Sequence, residues 1–175
     1  MDVRYINPFL KSCCRLFDTM IKVAVQIKKP ALKTHATPQF MVSAVIGLSG
    51  GMTGSVVIGF PTNVAISLAS ALAQAQFKAI DADCVDALGE IANMIAGAAK
   101  KDLPADQISI STPTVIIGAH NVAYPQNVPI IVIPCETPVG PFVIEIALRP
   151  TAKPPAELPA APVAAATPAP AAAAV

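Results

Sequence analysis

MVSAVIGLSGGMTGSVVIGF, residues 41–60, decides what kind of fold this chain can adopt. No Asp, Glu, Lys or Arg occurs between Lys33 and Lys78, and a helix that spans a bilayer needs about 20 mostly apolar residues. As a helix, however, the stretch would carry Gly47, Gly50, Gly51, Gly54 and Gly59 together with Ser43, Ser49, Thr53 and Ser55. As strands, its halves MVSAVIGLS and TGSVVIGF are β-rich runs on either side of a Ser-Gly-Gly break, the pattern of a β-hairpin. The second uncharged stretch, Gln107 to Cys135, is broken by Pro113, Pro125, Pro129 and Pro134. Neither reads as a membrane span. Gly47 to Gly54 also lacks the Gly-Lys-Ser/Thr ending and following helix of a phosphate loop, so a hairpin turn is the better reading.

Outward from the hairpin the periodicity changes. Asn7-Pro8 reads as an N-cap with Pro at the first helical position, and Leu10, Cys13, Cys14, Phe17, Met20 and Ile21 continue a helix near 7–21. Lys22 to Ile27 is a strand candidate. Thr62 is expected to cap a helix over 63–76 with Val64, Leu68, Leu72 and Ala73 as its stripe, and Asp81 another running to Lys100. After Pro104 the expected strands are Gln107–Ile117, Ile130–Ile133 and Phe142–Leu148, the last two joined by Thr137-Pro138-Val139-Gly140. Helices covering a mostly antiparallel sheet, an α+β arrangement, pack these elements most economically. Residues 151–175 hold 12 Ala and 6 Pro, which predicts one domain over 1–150 followed by a disordered Ala/Pro-rich tail.

Composition removes several function classes. The 175 residues carry 12 basic and 11 acidic side chains, net +1, without the basic excess of a nucleic-acid binder or a polybasic membrane anchor. With no Trp and two Tyr, base stacking has few platforms. The start, MDVRYINPFLK, shows no signal-peptide pattern, so the cytoplasm is the expected compartment. Cys13, Cys14, Cys84 and Cys135 form no C-x-x-C pair and read as small apolar residues in a reducing compartment. His35 and His120 sit in no H-E-x-x-H, and no metal site is expected. No G-x-S-x-G occurs, although a Ser-His-Asp or Cys-His catalyst assembled in space stays open.

Chemistry concentrates in DADCVDALGEIANMIAGAAK, residues 81–100. Val85, Leu88, Ile91, Ala92, Ile95 and Ala99 make a core stripe, while Asp86, Glu90, Asn93, Gly97 and Lys100 follow at spacings of four, three, four and three. That spacing places the second set on one continuous face, with Glu90 and Asn93 as neighbours. Gly89 and Gly97 each cost the helix about 1 kcal/mol relative to Ala, which suggests close approach of another backbone. A solvated polar face with glycines kept for internal packing is the other reading of the same pattern.

The run DALGEIANMIAGAAK, Asp86 to Lys100, resembles the signature helix of the CheX/CheC chemotaxis phosphatases, D-x-x-x-E-x-x-N-x-x-x-G, met here by Asp86, Glu90, Asn93 and Gly97. IGLSGGMTGSVVIGFP (46–61) and VPIIVIPCETPVGPFVIEI (128–146) add to the likeness, which covers roughly residues 5–149. A single E-x-x-N makes it closer to CheX than to CheC. The resemblance implies a CheC-like fold and dephosphorylation of a CheY-like receiver domain. In that chemistry Asn93 orients the attacking water and Glu90 pairs with a receiver lysine, the two forming the catalytic pair. Asp86, Gly89, Gly97 and Lys100 are then partner-binding candidates. The chain would need no cofactor of its own, the Mg²⁺ belonging to the receiver, and would form a homodimer through its sheets. A non-catalytic receiver-binding or scaffold module is the alternative.

Overall fold

The computed structural model describes residues 3–34 and 40–151. His35 and the expected tail, apart from Thr151, lie outside them. A 3₁₀ turn, Val3–Tyr5, leads into α1 (Asn7–Leu16), which widens into a π turn, Phe17–Ile21. Two short strands follow, β1 (Gln26–Ile27) and β2 (Ala31–Leu32), and then the hairpin of β3 (Val42–Ser49) and β4 (Met52–Phe60). Next come α2 (Thr62–Ala73), α3 (Ala82–Ala99), β5 (Ser109–Ile110), β6 (Thr114–Ile117), β7 (Ile131–Thr137) and β8 (Gly140–Pro150). All described pairings are antiparallel, in the order β1-β7-β8-β4-β3-β5, with β2 also on β7 and β6 also on β3.

The expected α+β architecture is what the chain adopts, and the hairpin is its centre. Val42 pairs with Phe60 and Leu48 with Gly54, so Val42, Ala44, Ile46 and Leu48 share a sheet face with Val56, Ile58 and Phe60. The helices cover that face, and the core is continued by Phe9, Leu68, Leu88, Ile91 and Ile95, all buried. Phe142 stacks on Phe17 with centroids 5.2 Å apart and on Phe60 at 5.7 Å, tying α1's end to the sheet. Gly50 turns the hairpin at φ +95°, a left-handed backbone, and a Cβ there would sit 1.9 Å from the Gln107 carbonyl oxygen. No helix among the described residues is long and apolar enough to cross a membrane.

Local departures from the expected elements have local causes. The α2 N-cap is Pro61 in extended conformation, and its carbonyl accepts from Ala65 N–H at 2.9 Å, so Thr62 is the first helical residue and caps nothing. Similarly, Ile6 precedes α1, and Asn7 stands inside the helix. Of the expected strand 22–27 only Gln26 and Ile27 pair, because Lys22 closes the π turn in a left-handed conformation. The segment 107–117 breaks into two strands at Ser111–Pro113, where Pro113 has no N–H for a ladder. Cys13, Cys84 and Cys135 are buried, while Cys14 is exposed. A hydrogen bond with Cys135, and then burial, hold the Cys13 thiol well above its usual range.

The sheet's opposite face carries a polar cluster that the sequence did not announce. Glu145, on β8, is 4% exposed inside an otherwise apolar run. Lys33 Nζ donates to its two carboxylate oxygens at 2.8 and 2.7 Å, and Tyr124 Oη donates to Glu145 as well. Lys33 Nζ also lies 5.3 Å from the Tyr124 ring centroid. Nearby, His120 contacts Ser43 Oγ at 3.0 Å and the Gly118 carbonyl at 2.8 Å. Burial, and then the bond to Glu145 and its negative charge, push the Tyr124 phenol above its ordinary 10.0. A folded-state pKa above the unfolded one means that the native state keeps its proton longer, so this contribution is complete below about pH 10 and is lost as pH rises further. Melting temperature followed above pH 10 should therefore fall, and Tyr124→Phe should flatten that alkaline limb.

Candidate functional site

The exposed face of α3 is built from its first residue. Asp81 caps the helix as expected, its Oδ1 accepting from Cys84 N–H at 2.9 Å, which satisfies one of the free donors at a helix start. Leu88, Ile91, Ala92, Ile95 and Ala99 are buried, and Val85 is half-buried. With that stripe packed inward, the helix is fixed about its axis and the other stripe must face out. Asp86 and Glu90 are exposed; Asn93, Gly97 and Lys100 are half-buried.

Glu90 and Asn93 are joined, Asn93 Nδ2 donating to Glu90 Oε2 at 3.3 Å. This bond orients the carboxamide. Its amino group must face the carboxylate, since a flipped amide would set two acceptor oxygens against each other. Asn93 Oδ1 therefore points away from Glu90, without a side-chain partner among the described residues, and can accept from water. The pair is a neutral donor–acceptor plane held by a carboxylate on a rigid helix. It can position a water without a proton-transfer role of its own.

The remaining expected residues divide. Asp86 lies about one turn before Glu90 on the same face, whereas Lys100 is ten residues beyond Glu90, about 15 Å along the axis, where α3 passes into the 3₁₀ turn Lys100–Asp102. Gly97 is open: a Cβ would meet only Ile110 Cδ1, at an ordinary 3.7 Å. For Gly89 the structure corrects the expectation. It is buried, and a Cβ would stand 3.3 Å from Pro113 Cγ, so its missing side chain admits this chain's own Pro113 and cannot present a surface to a partner.

Other chemistries find no support at this face. His120 is engaged with Ser43 and Gly118 behind the sheet, away from α3. Among the described residues no three His, Cys, Asp or Glu side chains converge as metal ligands. Two clefts, of about 580 and 400 Å³, are lined by residues around Cys14 and Lys22 and around Arg4 and Lys11, none of them on α3. Glu90 and Asn93 thus stand on an open helix face, an arrangement suited to a substrate that brings its own pocket.

Comparison with known proteins agrees with this geometry. The family model described as "Chemotaxis phosphatase CheX" matches residues 42–136, more than half of the chain. The Thermotoga maritima CheY-P phosphatase CheX is 28% identical over 121 residues, covering 67% of this chain and 78% of that protein. The crystal structure of CheX from Desulfovibrio desulfuricans superposes with a TM-score of 0.75 at 30% identity, covering 83% of this chain and all but 1% of the other. A Borrelia burgdorferi CheX solved in complex with CheY, BeF₃ and Mg²⁺ gives 0.71 at 26% identity, over 83% of this chain and 97% of that one. With the hairpin inside the matched span and the E-x-x-N pair in place on its exposed helix, the chain belongs to the CheX family of chemotaxis phosphatases.

Proposed function

We propose that this chain hydrolyses the aspartyl phosphate of a CheY-like receiver, with Asn93 placing the attacking water and Glu90 docking the helix. The observation that carries the reading is the hydrogen-bonded Glu90–Asn93 pair on an exposed, rigid helix. Phosphoryl transfer asks for in-line positioning and charge stabilisation more than covalent chemistry. Asn93 Oδ1 supplies an acceptor that orients a water toward phosphorus. When a receiver lysine reaches Glu90, the carboxylate exchanges or shares its contact with Asn93, and docking and water placement become linked.

Mg²⁺, held in the receiver, would neutralise charge on the phosphoryl oxygens. This chain's own face offers Glu90 and Asp86 from a single helix, a poor fit to an ion that demands near-octahedral oxygen coordination. Asp86, Gly97 and Lys100 form the rim of the docking surface. The reading places the protein in the cytoplasm, and residues 1–150 are the catalytic domain. A second copy pairs through the short strands at the sheet edges, where Leu32 and Ile117 are 63% and 53% exposed.

Phosphate release from a receiver charged with acetyl phosphate, with and without this protein, tests the activity. Glu90→Lys should fail at docking, since a receiver lysine would meet a like charge; we expect binding weakened by tenfold or more. Normal binding and release by that variant would remove the ion pair from the mechanism. Receiver binding by the unaltered protein without faster release would instead establish the scaffold reading.

A further inference from the structure

Two glycines of α3 that lie against another part of the chain flank Asn93 on the helix. Gly89, Asn93 and Gly97 are four apart, so they form one ridge of the helix. Pro113 Cγ lies 3.3 Å from the Cβ position of Gly89, and Ile110 Cδ1 lies 3.7 Å from that of Gly97. Eight helical residues span about 12 Å, and the three steps from Ile110 to Pro113 span about 10 Å when extended. The segment therefore runs antiparallel to this ridge, which sets Ser111 and Thr112 at the level of Asn93 along the helix. The half-burial of Asn93, next to an exposed Glu90, fits a wall on that side.

That wall is held from behind. Ser111 N–H donates to the Gly47 carbonyl at 2.9 Å, Ser111 Oγ accepts from Gly47 N–H at 3.0 Å, and the same hydroxyl donates to the Thr112 carbonyl at 2.8 Å. Ser111 is thus committed to β3. Thr112 is exposed and its hydroxyl has no partner among the described residues. We propose that the crossing Ile110–Pro113 is the second wall of the receiver-docking surface, with Thr112 a contact residue beside Asn93. The proposal rests on the phosphatase reading for its occupant. A surface broad enough to bring an acyl phosphate to Asn93 has to pass Thr112, and a small uncharged side chain there leaves room for an anionic group.

The test is Thr112→Glu, which adds bulk and negative charge where the phosphoryl group approaches, with Thr112→Ser as the conservative control. Titration calorimetry with a CheY-type receiver carrying BeF₃ and Mg²⁺ should show at least tenfold weaker binding for Thr112→Glu and near-normal binding for Thr112→Ser. Release assays should show KM raised and kcat within about twofold, with melting temperature unchanged in both. Unaltered Kd and KM in a folded Thr112→Glu protein would overturn the proposal, as would a fall in kcat with binding intact. Asn93→Ala in the same assays separates the two claims. If that variant binds but is inactive while Thr112→Glu binds normally, only the second wall fails; if it releases phosphate at the normal rate, the water-positioning reading fails, and calorimetry still decides Thr112.

Discussion

Asn93→Ala should lose stimulated dephosphorylation by about 100-fold or more, a size typical of a misplaced reactive group, while receiver binding and melting temperature stay close to normal. On the proposed mechanism the truncation removes the acceptor that aims the water and leaves Glu90 free to dock. Because Asn93 is only half-buried and its side chain bonds to Glu90, little folding energy is at stake. Asn93→Asp is the informative companion. It keeps the shape but sets a second carboxylate beside Glu90, so the carboxamide's fixed orientation is lost and like charges adjoin. Initial rates at saturating receiver, compared with Kd, check both. Equal rates for Asn93→Ala and the unaltered protein would exclude the carboxamide from catalysis.

The largest stability effect is expected far from the site, at Lys33. Its side chain is 9% exposed and that of Glu145 is 6%, with 2.7 Å between Nζ and Oε2. Lys33→Met leaves Glu145 buried with only the Tyr124 hydroxyl as a described partner, and breaking a buried pair in this way costs about 3–5 kcal/mol. For a domain of this size that corresponds to a fall of roughly 6–20 °C in melting temperature. Thermal melts of the variant beside the unaltered protein read the effect. Lys33→Met combined with Glu145→Leu should recover much of the loss, because no uncompensated charge remains.

What was legible in the sequence follows from range. The hairpin could be read because alternation and Gly50-Gly51 are local, and α3 because Asp81 and two stripes of four-and-three spacing lie within twenty residues. The Glu90–Asn93 contact followed from helical pitch. Gly89 could not be assigned in the same way: pitch set it one turn before Asn93, but only the fold brings Pro113 onto it. Lys33 and Glu145 are 112 residues apart, and no periodic pattern joins them. A lone Glu within FVIEIAL was nevertheless a signal, since a charge in the middle of a core strand needs a partner. Thr62 misled because it is a good capping residue beside Pro61, whose fixed φ and extended ψ took the cap position instead.

The pairing of β4 with β8 sets the order in which this protein can be made. β4 ends at Phe60 and β8 begins at Gly140, so on the ribosome the hairpin emerges about 80 residues before the strand that closes its side. At about 5–20 residues per second, an apolar two-stranded ribbon waits roughly 4–16 seconds with an open edge and one uncovered face. Two-stranded hairpins are marginal in water, and α2 and α3, next off the ribosome, are the first segments able to shelter that face. Nascent chains stalled before β8 should therefore be the forms most dependent on chaperones, and a truncation at residue 139 the one most prone to aggregate.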